Sequence, residues 1–393
     1  MARQTAENIN TIPVGPLGII GMPGCEELTD KIDSYLVKWR KTQAQEHADS
    51  IAFYGYQRDS YKINVSIPRF GSGEGKGVIL DTVRGYDLYI IADVFNYSCT
   101  YKMYGMEVPK SPDDHFADLK RVIHALSGKP KRVSVIMPML YEGRQHKRSA
   151  RESLDCAMAL QELVALGVDN IITFDAHDQR VQNSIPDKSF ENVMPTYQMI
   201  KALVNTVEDL AIDKDHLMII SPDEGAMQRC IYFATQLGVN LGMFYKRRDY
   251  TTIINGRNPI VEHQYLGDSV NGKDIIIVDD MISSGESMLE VASKLKGLGA
   301  KRIFVCTTFG LFCNGLEVFD KAYANGVFDK VFTTNGVYQS PELLSREWYA
   351  SVELSKYTAY FIDTLNHDMS VSSLLDSSKR INKILIEKGL KEA

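Results

Sequence analysis

Short apolar runs alternate with helix-length stretches along almost the whole chain, which predicts an α/β fold in two domains, each with a largely parallel central sheet flanked by helices. The run 275–278 is apolar at every position, as a parallel strand covered on both faces should be. At 393 residues the chain is long enough for two proper cores. No long low-complexity tract or short-period repeat argues otherwise.

In order, 89–93 reads as a strand, 114–127 as a helix, 133–138 as a strand and 153–166 as a helix. The strand 170–175 follows, then helix 196–207, strand 217–221 and helix 225–237. Strands 241–245, 275–278 and 302–306 complete the second half, with helix 288–296 between the last two. Right-handed βαβ units account for this succession. The two halves meet near 190–196. The expected division is an N-terminal extension 1–17, domains 18–194 and 195–348, and a C-terminal helical extension 349–393. Within that extension, 369–375 opens a terminal helix running to 391, with Ser372 or Ser373 as cap. The polar stretch 249–267 reads as a long mobile flap.

Composition narrows the function. The chain is 44% hydrophobic and 24% charged, ordinary for a soluble globular protein. A net charge of −6 gives no whole-chain sign of nucleic-acid binding. No apolar run approaches the ~18 residues of a membrane span, and the first residues lack the apolar core of a secretory signal. The six cysteines form no CxxC and fit neither a zinc site nor a disulfide framework. Reduced thiols in a cytoplasmic protein are the expectation.

The most informative run is 274–287, Asp-Ile-Ile-Ile-Val-Asp-Asp-Met-Ile-Ser-Ser-Gly-Glu-Ser. An apolar strand ends in Asp279 and Asp280, beyond which ligands of open α/β sheets bind. Ser283, Ser284, Gly285 and Ser287 then offer N–H groups and hydroxyls at a helix N-terminus, which suits a phosphate. Helix capping alone would explain Asp and Ser here. It does not explain two adjacent acids at the end of a buried strand. Hydroxyl-binding carboxylates beside a phosphate cradle suit a ribose 5-phosphate.

Four further segments sit at strand ends or turns. Gly71-Ser72-Gly73-Glu74-Gly75-Lys76-Gly77 has neither Walker A nor dinucleotide spacing, and reads first as a glycine-rich turn. Phe70 and Glu74 beside it are placed to stack on a base and accept from its amino group. The run 141–151 carries Arg144, Lys147, Arg148 and Arg151, either a solvated face or a polyphosphate clamp. Asp175-Ala176-His177-Asp178 and Ser221-Pro222-Asp223-Glu224-Gly225 each follow a strand, where acids and a histidine can share Mg²⁺ with phosphates. Lys246-Arg247-Arg248 opens the flap, a basic turn or a set of cations for a charged transition state.

Taken in order, these segments resemble the ribose-phosphate diphosphokinase (PRPP synthetase) family, over roughly residues 18–315. Arg69-Phe70-Gly71-Ser72-Gly73-Glu74 is similar to the family's Arg-Phe-x-Asp/Asn-Gly-Glu adenine segment, which implies Phe70, Ser72 and Glu74 at the ATP base. Arg144 and Gln145 resemble its ATP-contacting pair, and His177 its metal-binding histidine, also on the ATP side. Ser221–Gly225 is similar to a segment whose aspartate, here Asp223, binds near ribose phosphate and metal. Lys246 and Arg248 resemble the catalytic cations of the flexible loop. Val278-Asp279-Asp280-Met281 resembles the ribose signature, and Ser283, Ser284, Gly285, Glu286 and Ser287 stand where its phosphate loop does.

The resemblance implies two phosphoribosyltransferase-like domains, ATP on the first and ribose phosphate on the second. It implies transfer of the diphosphoryl group of MgATP to ribose 5-phosphate, with Mg²⁺ at His177 and Asp223. It also implies a cytoplasmic homo-oligomer built on dimers, possibly hexamers, without nucleic-acid or membrane partners. Departures mark a divergent branch: Ser-Ser-Gly-Glu-Ser replaces Asp-Thr-Gly-Gly-Thr, and the acid after Arg144-Gln145 is missing. Two alternatives stay open, a non-catalytic regulatory homologue and a diphosphokinase for another ribose-phosphate acceptor. A plain phosphoribosyltransferase would have no use for Phe70, Glu74 and Arg144.

Overall fold

A computed structural model describes residues 11–46, 56–248 and 260–391; the side chains of 43–46, 246–248 and 260–263 are outside that description. The chain forms two compact units. The first takes the chain up to Met194 with Gly336–Tyr338 and Glu353–Asp376; the second takes Pro195–Asn335, Gln339–Val352 and the chain from Ser377.

The first unit runs β1 (Leu17–Gly21), α1 (Glu26–Glu46), the short pair β2 (Val65–Ser66) and β3 (Val78–Ile79), β4 (Asp87–Ile91), and the hairpin β5 (Thr100–Met103) and β6 (Met106–Pro109). Then come α2 (Pro112–Leu126), β7 (Arg132–Ile136), α3 (Asp155–Ala165), β8 (Asn170–Phe174) and β9 (Ser189–Val193). Strands β1, β4, β7, β8 and β9 form one parallel sheet in the order β1-β4-β7-β8-β9. Leu88 and Ile90 of β4 and Val133 and Val135 of β7 pack against Leu119, Val122 and Leu126 of α2 and Leu160 and Leu163 of α3. Helix α2 begins where it does because Ser111 caps the Asp114 N–H, Asp114 returns the bond to the Ser111 N–H, and Pro112 fills the first turn.

The second unit runs α4 (Thr196–Thr206), β10 (Leu217–Ser221), α5 (Met227–Leu237), β11 (Asn240–Arg248), β12 (Ile260–Leu266), β13 (Asp274–Ile282), α6 (Glu286–Gly297) and β14 (Ile303–Gly310). It continues through α7 (Glu317–Ala324), β15 (Lys330–Thr334), α8 (Pro341–Leu344) and β16 (Tyr349–Val352). The sheet order is β12-β11-β10-β13-β14-β15-β16, parallel except for β12 against β11. The run 275–278 is apolar throughout because both faces are covered. Ile276 and Val278 face α4 and α5, while Ile275 and Ile277 face α6 and the aromatic cluster around Phe319 and Trp348.

Three expectations are corrected. The segment 349–393 is not one helical extension. Tyr349–Val352 closes the second sheet, α9 (Ser355–Asn366) and α10 (Ser372–Leu375) pack into the first unit, and α11 (Ser378–Glu387) packs into the second. The terminal helix is therefore two helices, broken at Asp376, whose extended backbone ends α10. The strand expected at 275–278 runs on to Ile282, since β14 keeps pairing with it through Asp279–Thr307, Met281–Phe309 and Ile282–Gly310. Of the expected flap 249–267, residues 260–266 form β12; 249–259 lie outside the described residues. Among the described residues no helix is long and apolar enough to cross a membrane.

Candidate active site

In the first unit the turn 69–75 hangs between β2 and β3. Two backbone bonds close it: Phe70 N–H donates to Glu74 O at 2.8 Å and Gly73 N–H to Phe70 O at 2.9 Å. Gly73 sits at φ +95°, and a Cβ there would lie 2.8 Å from Met103 Sδ, so glycine is required twice over. The turn presents Phe70 59% exposed, and the Ser72 hydroxyl donates to Glu74 Oε2 at 2.7 Å. An exposed ring beside an anchored carboxylate is what stacking on a base and accepting from its amino group require. Strand β3, not a helix, follows the turn, so it offers no helix N-terminus to a phosphate.

Beyond β7, the Tyr141 ring stacks on Phe116 with centroids 4.3 Å apart, and its hydroxyl donates to Asp113 at 2.6 Å. This fixes the root of the loop carrying Arg144 and Gln145. Arg144 is exposed, while the Gln145 amide donates to Ser153 O at 2.9 Å.

Asp175 stands just past the end of β8, with a φ of +42° unusual for a side-chain-bearing residue. Its N–H donates to Val193 O at 3.0 Å and that of Ala176 to Asn192 Oδ1 at 2.8 Å, which holds the sharp bend and leaves His177 exposed. The structure brings the Arg144 loop and His177 together through His146, whose ring lies 5.3 Å from that of His177 and whose Nε2 is 3.5 Å from Asp178. Burial holds the His146 imidazole below its ordinary pKa, against the pull of Asp178. Asp178, forked by Arg180, is depressed to about 2.

In the second unit, Asp223 Oδ1 accepts from the N–H groups of Gly225 at 2.9 Å and Ala226 at 3.3 Å, and the Ser221 hydroxyl donates to Asp223 O at 2.6 Å. Asp279 is half-buried and Asp280 buried. Asp279 Oδ1 accepts from the Asp280 N–H at 2.8 Å and lies 3.6 Å from Arg229 Nη1 on α5. Burial, then the neighbouring Asp280, push the Asp279 carboxyl well above the usual range, while Arg229 opposes them.

Ser283 and Ser284 are half-buried, Glu286 and Ser287 exposed. Gly285 at φ +87° caps α6, and a Cβ there would lie 2.2 Å from Phe319 Cζ. The loop is tied down by Cys313 N–H donating to Ser283 O at 2.9 Å. Lys246 and Arg248 fall on the end of β11; their side chains are outside the described residues.

Arg229 and His146 lie beside these candidate residues without a sequence signal of their own. Arg229 lies fifty positions from Asp279, and no local pattern announces such a pair. His146 stood inside a basic run that hid it.

For Mg²⁺, the fit is a matter of donor chemistry. Among the described residues no three His, Cys, Asp or Glu side chains form a ready-made metal cluster. Mg²⁺ bound with phosphates takes only one or two carboxylates from the protein. The like charges of Asp280 and Asp223 that raise Asp279 are hard oxygen donors a cation would satisfy. The residues fit that ion.

Residues 17–167 match the family described as the N-terminal domain of ribose phosphate pyrophosphokinase, and 189–346 match the phosphoribosyl transferase domain. The chain is 27% identical over 317 residues to a ribose-phosphate pyrophosphokinase of Vibrio parahaemolyticus, covering 80% of this chain and 91% of that protein. It is 28% identical over 312 residues to the same-named protein of Shewanella oneidensis, covering 78% and 89%. The fold is similar to the crystal structure of phosphoribosylpyrophosphate synthetase from Mycobacterium smegmatis, with a TM-score of 0.69 at 19% identity over 90% of this chain and 99% of that one.

Proposed function

Because the chain belongs to the ribose-phosphate pyrophosphokinase family, we propose that it transfers the diphosphoryl group of MgATP to the C1 hydroxyl of ribose 5-phosphate, giving 5-phospho-α-ribose 1-diphosphate and AMP. One observation carries this reading: the pyrophosphokinase N-terminal domain precedes the phosphoribosyl transferase domain along the chain. A transferase that only consumed the product would have no use for the first.

The C1 oxygen attacks the β-phosphorus, the bond from the α-phosphate oxygen to that phosphorus breaks, and the C1 hydroxyl proton leaves to solvent or a phosphate. Such transfers depend on alignment and charge neutralisation, and need little covalent help from the protein. In this reading Phe70 stacks on the base, with Ser72 and Glu74 accepting from or donating to its edge. Arg144 and Gln145 hold the phosphates. Asp279 and Asp280 accept from the ribose hydroxyls, with Arg229 favouring the Asp279 anion against burial and Asp280, and Ser283, Ser284, Gly285 and Ser287 cradle the 5-phosphate. Lys246 and Arg248 neutralise the transferring group. Mg²⁺ held at His177 and at Asp223 would draw charge off the phosphoryl oxygens.

Glu286 supports a second reading. An exposed carboxylate on the first turn of α6 opposes a doubly charged phosphate, which favours another ribose-phosphate-bearing acceptor. A homo-oligomer built on dimers, acting in the cytoplasm, is supported by family resemblance alone.

The test is ³¹P NMR of the protein with MgATP and ribose 5-phosphate. AMP and a sugar 1-diphosphate should appear together and vanish in Lys246→Ala. Intact ATP over hours with demonstrable nucleotide binding would overturn the reading in favour of a regulatory homologue; turnover only with another acceptor would select the second reading.

A further inference from the structure

Behind the 69–75 turn lies a charge cluster that none of the assigned roles uses. Asp118, on the buried face of α2 with its side chain 1% exposed, accepts from three cations at once. Arg69 Nη2 donates to its Oδ2 at 2.7 Å, Lys110 Nζ to the same oxygen at 2.9 Å, and Arg121 Nη1 to Oδ1 at 2.7 Å. One carboxylate facing three cations is a strongly bound anion, and a buried one is held in a fixed place.

Two of the three cations lie at the turn: Arg121 packs against Gly75, where a Cβ would come within 2.9 Å of its Nη1, while Arg69 hydrogen-bonds the turn itself. Arg69 Nη1 donates to Gly73 O at 3.0 Å, and its guanidinium carbon lies 4.5 Å above the centre of the Tyr101 ring. Its Nε finds no partner, although the side chain is only 8% exposed. A donor left unsatisfied in the interior is costly. It is tolerated here because the planar fork is committed at its other end, to Asp118 and to the turn. The hairpin of β5 and β6 grips the far side of the turn: Tyr104 N–H donates to Gly71 O at 2.8 Å, and Met103 lies against Gly73. Phe70 and Glu74 therefore stand on a turn whose carbonyl at Gly73 is steered, through one guanidinium, by a carboxylate on α2.

We propose that Asp118 is the positioning residue of the base-recognition turn, acting through Arg69, and so sets how strongly the protein discriminates between purine bases. This rests on the reading of Phe70, Ser72 and Glu74 as the base site, and not on the transfer chemistry. Lysine in place of Arg69 cannot bridge Asp118 and Gly73 O with one planar fork. Lys110 binds the same carboxylate but has no bond to the turn among those described, so it serves as a control of equal burial.

The experiment measures ATP and GTP dissociation constants by calorimetry with magnesium and without sugar phosphate. The unmodified chain, Asp118→Asn, Arg69→Lys and Lys110→Met are compared, with thermal unfolding of each. Asp118→Asn and Arg69→Lys should each bind ATP about tenfold more weakly, the scale of one lost charge-assisted hydrogen bond, with GTP little changed. The preference for ATP then collapses in both and survives in Lys110→Met, even where its melting temperature falls. Should Asp118→Asn fail to fold, Arg69→Lys against Lys110→Met decides. An undiminished preference in Arg69→Lys, an equal collapse in Lys110→Met, or an unmodified chain that does not prefer ATP would each overturn the inference. If the pattern holds in a protein that never consumes ribose 5-phosphate, the proposed reaction fails and the positioning role stands.

Discussion

The Arg40 guanidinium donates to a single oxygen of Asp363, from Nε at 3.1 Å and from Nη2 at 2.9 Å, joining α1 to α9 inside the first unit. Nη2 also donates to Asn366 Oδ1 at 2.7 Å, and the Tyr56 ring covers the guanidinium carbon at 4.4 Å. Arg40 is 1% exposed. Removing one member strands a buried charge, which costs about 3–5 kcal/mol. Asp363→Leu should therefore lower the urea midpoint strongly, and Arg40→Met with Asp363→Leu should recover a large part of it. Equal loss in the single and double variants would refute the pairing.

Asp93, just past β4, gives a pH prediction. Burial pushes its carboxyl from 3.8 up to about 7, although the N–H groups of Phe95 at 3.0 Å and Tyr338 at 2.7 Å favour the anion. The folded chain keeps a proton that the unfolded chain releases. This contribution is complete below pH 3.8 and is lost as pH rises through 7, at roughly 1.4 kcal/mol per unit. Urea unfolding between pH 4 and 8 should show a smaller decline in Asp93→Asn than in the unmodified chain. Parallel curves would reject the assignment.

Gly285→Ala tests the proposed phosphate loop. The new Cβ meets Phe319, itself packed against Phe312 and Trp348, at a backbone angle that alanine adopts poorly. Overpacking of this kind costs about 1–3 kcal/mol. The KM for ribose 5-phosphate should rise with the KM for ATP unchanged, and a normal sugar-phosphate KM would count against the loop's role.

Lys246→Ala should reduce kcat by about 10²–10³, as loss of one preorganised transition-state donor does, with little change in either KM. A variant with near-normal kcat would remove Lys246 from the chemistry.

Much of the architecture was legible because it obeys local rules. The unbroken apolar run 275–278 announced a strand covered on both faces, and Gly285 after two serines announced a tight loop opening a helix. What escaped was set by distance along the chain. Nothing near Asp279 marks Arg229 as its neighbour, and nothing near Arg69 marks Asp118. The extension of β13 past its carboxylates depends on β14 continuing to pair with it, which no residue of β13 states. Helix α9 buries Tyr357, Phe361 and Ile362, but its polar ties to Arg40 and to Asp87, whose Oδ2 accepts from Asn366 at 2.8 Å, are set by residues far away in the chain. Helix α1 was overlooked because its Lys, Glu and Gln residues dilute the apolar stripe.

The return of Glu353–Asp376 to the first unit orders events in time. A ribosome emits the chain from its N-terminus, so β1 to β9 leave the exit tunnel well before α9 exists. At ~5–20 residues per second, the Arg40 guanidinium waits some tens of seconds for Asp363 to be synthesised. The second unit, begun later, has its strands β10 to β16 complete before the first can close. Neither half is complete when its sheet is: the first waits for α9, and the second for α11, which is made after it.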